Sequence, residues 1–148
     1  MSEQEHDEKL RELKAYLIDG FTFLKNGKSY CGFALSITNL SSVTKSLPII
    51  ELQVEYTVGS GETGKAILNC EIDISPPYIK PEYQKLTTPI NIPSKETVSG
   101  WITFRKPIIK NMDLNIKEYK IIGMCNEKRI EIVSAYLLRC ISNEKDEG

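Results

Sequence analysis

Histidine occurs once in these 148 residues, at His6, and tryptophan once, at Trp101; no two of the four cysteines form a C-x-x-C pair. Each scarcity removes a class of chemistry. A Ser-His-Asp or Cys-His apparatus needs a histidine held on a rigid frame, whereas His6 lies close to a terminus. A zinc site needs several ligands at short spacing, and Cys31, Cys70, Cys125 and Cys140 stand far apart with a single histidine to join them. Gly59, Gly61 and Gly64 are followed by no expected helix and do not complete the G-x-x-x-x-G-K-[ST] pattern of a phosphate-binding loop, so they read as a hairpin turn. No catalytic residue, metal or cofactor is expected.

Charge and apolar runs are equally uninformative of a special partner. The net charge is -1, which favours neither nucleic acid nor an anionic membrane surface. No stretch approaches the roughly 18 consecutive apolar residues of a membrane span. The acidic start Met-Ser-Glu-Gln-Glu-His-Asp-Glu is not a secretory signal, so a cytoplasmic location is the default, or an extracytoplasmic one if a leader has been removed. With 41% hydrophobic and 26% charged residues the chain lies in the globular range, and its length suits one domain.

What is present is alternation. From Val98 to Arg105, Val98, Gly100, Ile102 and Phe104 share one face and Ser99, Trp101, Thr103 and Arg105 the other. The first set makes the better core face, with Gly100 marking a bulge or a close approach by another backbone. Pro93 closes a short strand before it and Pro107 ends it. Tyr30 to Thr38 brings Cys31, Phe33, Leu35 and Ile37 to one face, and Ile50 to Val58 does the same with Ile50, Leu52, Val54, Tyr56 and Val58. The chain returns through Ala66, Leu68, Cys70, Ile72 and Ile74. Phe21 to Lys25 reads as a short edge strand. Lys117 to Cys125 and Ile130 to Ile141 form a last hairpin, with Ile130, Ile132, Tyr136, Leu138 and Cys140 on one face.

Ahead of these, Glu3 to Ile18 is rich in helix formers, and Leu10, Leu13, Leu17 and Ile18 fall on one side of an amphipathic helix stopped by Gly20. The expected organisation is an N-terminal helix over 1–19, a β-sandwich of about eight antiparallel strands over 20–142 and a disordered tail over 143–148. The four cysteines fall on apolar strand faces and read as free, buried thiols, with disulfides the rival.

The segments I-T-N-L-S-S (Ile37 to Ser42) and P-S-K-E-T-V-S-G-W-I-T-F-R-K-P (Pro93 to Pro107), followed by the closing hairpin, resemble the immunoglobulin-like, telokin-like domains of uncharacterised bacterial proteins. Gly100, Phe104 and Pro107 fit the G-x-x-x-F-x-x-P pattern of that family. The resemblance covers most of Phe21 to Ile141 and implies an immunoglobulin-like sandwich without catalytic residues. Lysine-heavy, isoleucine- and asparagine-rich usage agrees with a bacterial source.

Two functions follow as expectations. The first is a non-catalytic interaction module that binds another protein or itself, through a sheet edge, the Trp101 face, or the Leu10, Leu13 and Leu17 stripe, the helix giving a homodimer. The alternative is a small-ligand or glycan site made by Trp101 and the Pro76 to Thr88 loop, with Tyr78 and Tyr83 as stacking partners. Trp101 points away from the core strip, so it is either covered, by the helix or a second layer, or exposed. Glu71 and Asp73 share a face and could join Glu51 or Glu55 in a weak cation site, although an ordinary wet face is the simpler reading. Asn39-Leu40-Ser41 matches the N-glycosylation sequon.

Overall fold

The computed structural model describes residues 12–71, 74, 84–106, 114–125, 127–136 and 138–141. Eleven strands lie in this part: β1 Leu13–Lys25, β2 Lys28–Asn39, β3 Lys45–Leu47, β4 Ile50–Val58, β5 Thr63–Asn69, β6 Gln84–Lys85, β7 Ile90–Ile92, β8 Thr97–Arg105, β9 Leu114–Cys125, β10 Lys128–Ala135 and β11 Arg139–Ile141. Among the described residues no helix is long and apolar enough to cross a membrane.

Two larger sheets carry the architecture. The first has the order β11-β1-β2-β8-β6 and the second β10-β9-β4-β5, while β3 and β7 pair with each other alone. Their inward faces meet in one core built from Cys31, Phe33, Leu35 and Ile37 of β2, Ile102 and Phe104 of β8, Leu52 and Val54 of β4, and Tyr119 and Ile121 of β9. The rings of Phe33 and Tyr119 meet edge to face across that core, 6.3 Å apart. Leu47, Ile90 and Ile92 bring the small pair into the same apolar mass. The chain is thus a β-sandwich whose dry faces are those the alternation of β2, β4 and β8 predicts.

The chain enters this sandwich earlier than its helical spacing suggests. Leu13 to Ile18, expected to be helix, is the first half of β1, antiparallel to β2 with Leu13 opposite Asn39 and Leu17 opposite Leu35. A spacing of four residues fits both a helical turn and two strand periods, so Leu13 and Leu17 share a face either way. What decides is the partner: Asn26 and Gly27, with φ of 53° and 76°, close a two-residue turn of the type I′ kind. That turn folds Leu13–Lys25 back along β2, so Phe21 to Lys25 is not a separate strand. Residues 1–11, including Leu10, lie outside the described residues, as do 142–148.

Two bulges reset the alternation. In β1 the register slips between Leu17 and Asp19, so Ala15 and Leu17 pack on the main core while Phe21 and Phe23 turn to the opposite face. There they join Tyr30 and Ile74 in a second, smaller cluster. In β10 the slip falls between Glu131 and Val133, which buries Val133 and leaves Tyr136 69% exposed, against the expectation that Tyr136 shares the core face of Ile130. After β10 the chain changes sheets, and β11 runs parallel to β1 opposite Phe21 to Phe23.

Candidate functional site

Trp101 is the residue around which the ligand expectation was built, and it is 7% exposed. Its strand explains why. β6 runs parallel to β8 with Gln84 opposite Gly100 and Lys85 opposite Trp101, and the Leu86 N–H donates to the Trp101 carbonyl at 2.9 Å. A Cβ on Gly100 would lie 2.1 Å from the Gln84 carbonyl oxygen, so only glycine allows this approach. The Lys85 ammonium sits 5.8 Å from the indole centre, a cation–π contact that caps the ring. Trp101 is therefore buried, beside β6 of its own sheet and under the Lys85 ammonium, and offers no open stacking platform. Tyr78 and Tyr83 lie outside the described residues.

Leu13 and Leu17 belong to a strand whose second edge the described strands leave half open. β2 covers one side of β1, but β11 covers the other only at Phe21 to Phe23. Along Leu13 to Ile18 no described strand pairs with that second side, and further on the Gly20 N–H donates to the Asp19 carboxylate at 2.8 Å. Next to it is a cleft of about 260 Å³ lined by Leu13, Ala15, Ile37, Ile130 and Ile132, with Arg129 and Glu131 also on its wall. The cleft lies between β1 of one sheet and β10, the edge strand of the other. On the outer face of β1, Tyr16 and Ile18 are 55% and 45% exposed, and the Lys14 ammonium lies 5.4 Å from the Tyr16 ring.

The remaining candidates are structural. Asn39 of the sequon is fully buried: its amide donates to the Val43 and Ile92 carbonyls, both at 2.8 Å, and its oxygen accepts from the Ser41 N–H and hydroxyl. Every bonding group of that side chain is engaged in tying the turn after β2 to β7, so it is no glycan acceptor in the folded chain. Glu51 pairs with Arg129 at 3.1 Å, and Lys120 lies 3.6 Å from both Glu118 and Glu131. That is a neutralised wet face. Among the described residues no three potential ligands gather to hold a metal. Asp73 and His6 lie outside those residues.

Cys31, Cys70 and Cys125 are free thiols. Cys31 and Cys70 flank Phe104 from opposite sides, two strand spacings apart at roughly 10 Å, too far for a bridge. Burial pushes the Cys31 thiol up to about 12, against the opposing pull of the Lys106 ammonium. Burial, and next the Cys31 sulfur, push the Tyr119 hydroxyl up to about 12 as well. A thiol held protonated in a core is not a nucleophile.

No family model matches this chain, and no curated protein matches it in sequence. Among solved structures it is similar to Pseudomonas fluorescens alkylpurine DNA glycosylase AlkC bound to DNA containing an abasic site analog, at 8% identity and a TM-score of 0.46. That match covers 82% of this chain and 30% of the glycosylase chain, so this chain spans less than a third of the glycosylase's length. It is also similar to Northeast Structural Genomics Consortium target SoR45, at 11% identity and a TM-score of 0.40, over 86% of this chain and 87% of that one. Likenesses of this strength carry no argument about fold family or activity.

Proposed function

We propose that this sandwich is a non-catalytic, immunoglobulin-like interaction module that binds another protein, or a second copy of itself, by adding an extended segment to the free edge of β1. The edge at Leu13 to Ile18, which no described strand pairs on its second side, carries the reading. An unpaired strand edge presents a row of backbone donors and acceptors, and an incoming strand satisfies them while its alternate side chains enter neighbouring pockets. Here the pocket is the apolar cleft beside Leu13, Ala15 and Ile130, and Tyr16 and Ile18 stand ready on the outer face. The immunoglobulin-like part is supported by strand order: β1, β2 and β8 neighbour one another in one sheet, and β10, β9, β4 and β5 in the other, as strands A, B and E oppose G, F, C and C′.

The test pairs sedimentation of the full chain over rising concentration with selection of displayed peptides, using Ala15→Lys as the counter-target. A charge at Ala15 blocks the cleft and the edge together. The expected result is a dimer, or a set of alternating apolar peptides, lost in Ala15→Lys. A monomer at all concentrations with no Ala15-dependent peptide contradicts it.

A further inference from the structure

The near-zero net charge of the chain conceals a segregation between the sheets. Strands of the β11-β1-β2-β8-β6 sheet carry Lys14, Lys25, Lys28, Lys85, Arg105 and Arg139 against a single carboxylate, Asp19. The opposing sheet mixes its signs, with Glu51, Glu55, Glu118 and Glu131 among Lys65, Lys117, Lys120, Lys128 and Arg129. Three of the first sheet's cations gather at one end of its outer face. Lys25 and Lys28 are direct cross-strand partners at the mouth of the Asn26-Gly27 turn, and Arg105 pairs with Tyr30 one step along β2. Lys106 follows, its N–H bonded to the Ser29 carbonyl at 2.9 Å.

Like charges placed directly opposite each other destabilise a sheet. Neighbouring carboxylates elsewhere relieve this, as Glu118 and Glu131 do for Lys120, but among the described residues Lys25, Lys28, Arg105 and Lys106 form no ion pair. The same hairpin tip exposes Leu24, at 45%, on the opposite face from Lys25 and Lys28, where it pairs with Ser29.

We infer that this end of the sandwich, Leu24, Lys25, Lys28, Arg105 and Lys106, docks on an anionic lipid surface. Cations on one face of a strand tip and an exposed apolar side chain on the other match a membrane interface met end-on, where phosphates and carboxylates meet the lysines and the leucine enters the headgroup layer. A nucleic acid would supply phosphates too, but its bases want open aromatic faces. Phe23 and Tyr30, the rings at this end, are 1% and 6% exposed and stack on each other at 5.6 Å. The site lies at the far end of β1 from the free edge, so it stands or falls apart from the strand-addition reading.

Co-sedimentation of the full chain with phosphatidylcholine vesicles, with and without about a third phosphatidylserine, tests it at low and high salt. Binding is expected to the anionic vesicles alone, weakened more than ~10-fold in Lys25→Glu/Lys28→Glu and less than ~2-fold in the equally charged Lys65→Glu/Lys128→Glu on the other sheet. Leu24→Ser should weaken it without changing the salt dependence. Should the double variant unfold, Arg105→Glu serves in its place. Absence of binding to anionic vesicles, equal loss in both double variants, or binding of a labelled single-stranded oligonucleotide in place of vesicles overturns the inference.

Discussion

The missing Cβ of Gly100 leaves the space that the carbonyl oxygen of Gln84 fills, 2.1 Å from where that carbon would stand. Two strands meet in parallel there, and the meeting covers Trp101. Gly100→Ala must therefore push β6 off the edge of β8. The expected cost is about 1–3 kcal/mol in urea unfolding, with a red-shifted tryptophan emission and increased iodide quenching. An alanine variant with unchanged melting and emission would mean that β6 does not depend on this glycine.

Asn39 joins three pieces of chain with one side chain. Replacing it by alanine strands the Ile92 carbonyl and the Ser41 N–H in a dry site, at a cost of about 2–4 kcal/mol. Asn39→Asp should fail similarly, since a carboxylate cannot donate to the Ile92 and Val43 carbonyls. Ser41→Ala removes only a hydroxyl and should cost less. Urea midpoints of the three variants check the order.

The buried thiol of Cys31 makes the fold sensitive to alkali. Its folded pKa, about 12, lies above the ~8.5 of an unfolded thiol, so the unfolded chain loses its proton first. Stability is whole below ~8.5 and falls as pH climbs from there toward 12, on the order of 1 kcal/mol per pH unit, with Tyr119 adding to the slope above ~10. Cys31→Ala should flatten the first part of that slope. In native protein, thiol reagents should label Cys31 far more slowly than the half-buried Cys70 and Cys125. Rapid labelling of Cys31, or a pH-independent urea midpoint, contradicts this.

Much of the sandwich was legible because period-two alternation and burial coincide on β2, β4 and β8. Cys31, Phe33, Leu35 and Ile37 are buried as their spacing requires, and so are Ile102 and Phe104. Gly100 was legible as a close backbone approach, though not which backbone. The N-terminal half of β1 was not, because Leu13 and Leu17 satisfy both periods. The signal that separates them was Asn26-Gly27, the strongest short hairpin dipeptide, which folds residues on either side into one pair. Bulges defeat alternation outright: the slip in β10 puts Tyr136 outside and Val133 inside. The burial of Trp101 depends on a two-residue strand from a distant, proline-rich stretch, which no local pattern announces. Nor does net charge announce a basic end, since an average over the chain erases where its charges sit.

The free edge of β1 is the claim on which the proposed function rests, and amide hydrogen exchange of the full chain reads it directly. In the dilute monomer, amides on the unpaired side of Lys14 to Ile18 should exchange within the fraying range of an edge strand, while those of β2 and β9 stay protected. Protection at Lys14 to Ile18 should then rise with concentration or with a bound extended peptide. Uniform, concentration-independent protection of that segment in the monomer would mean that the edge is already filled, and the proposal of strand addition there would be wrong.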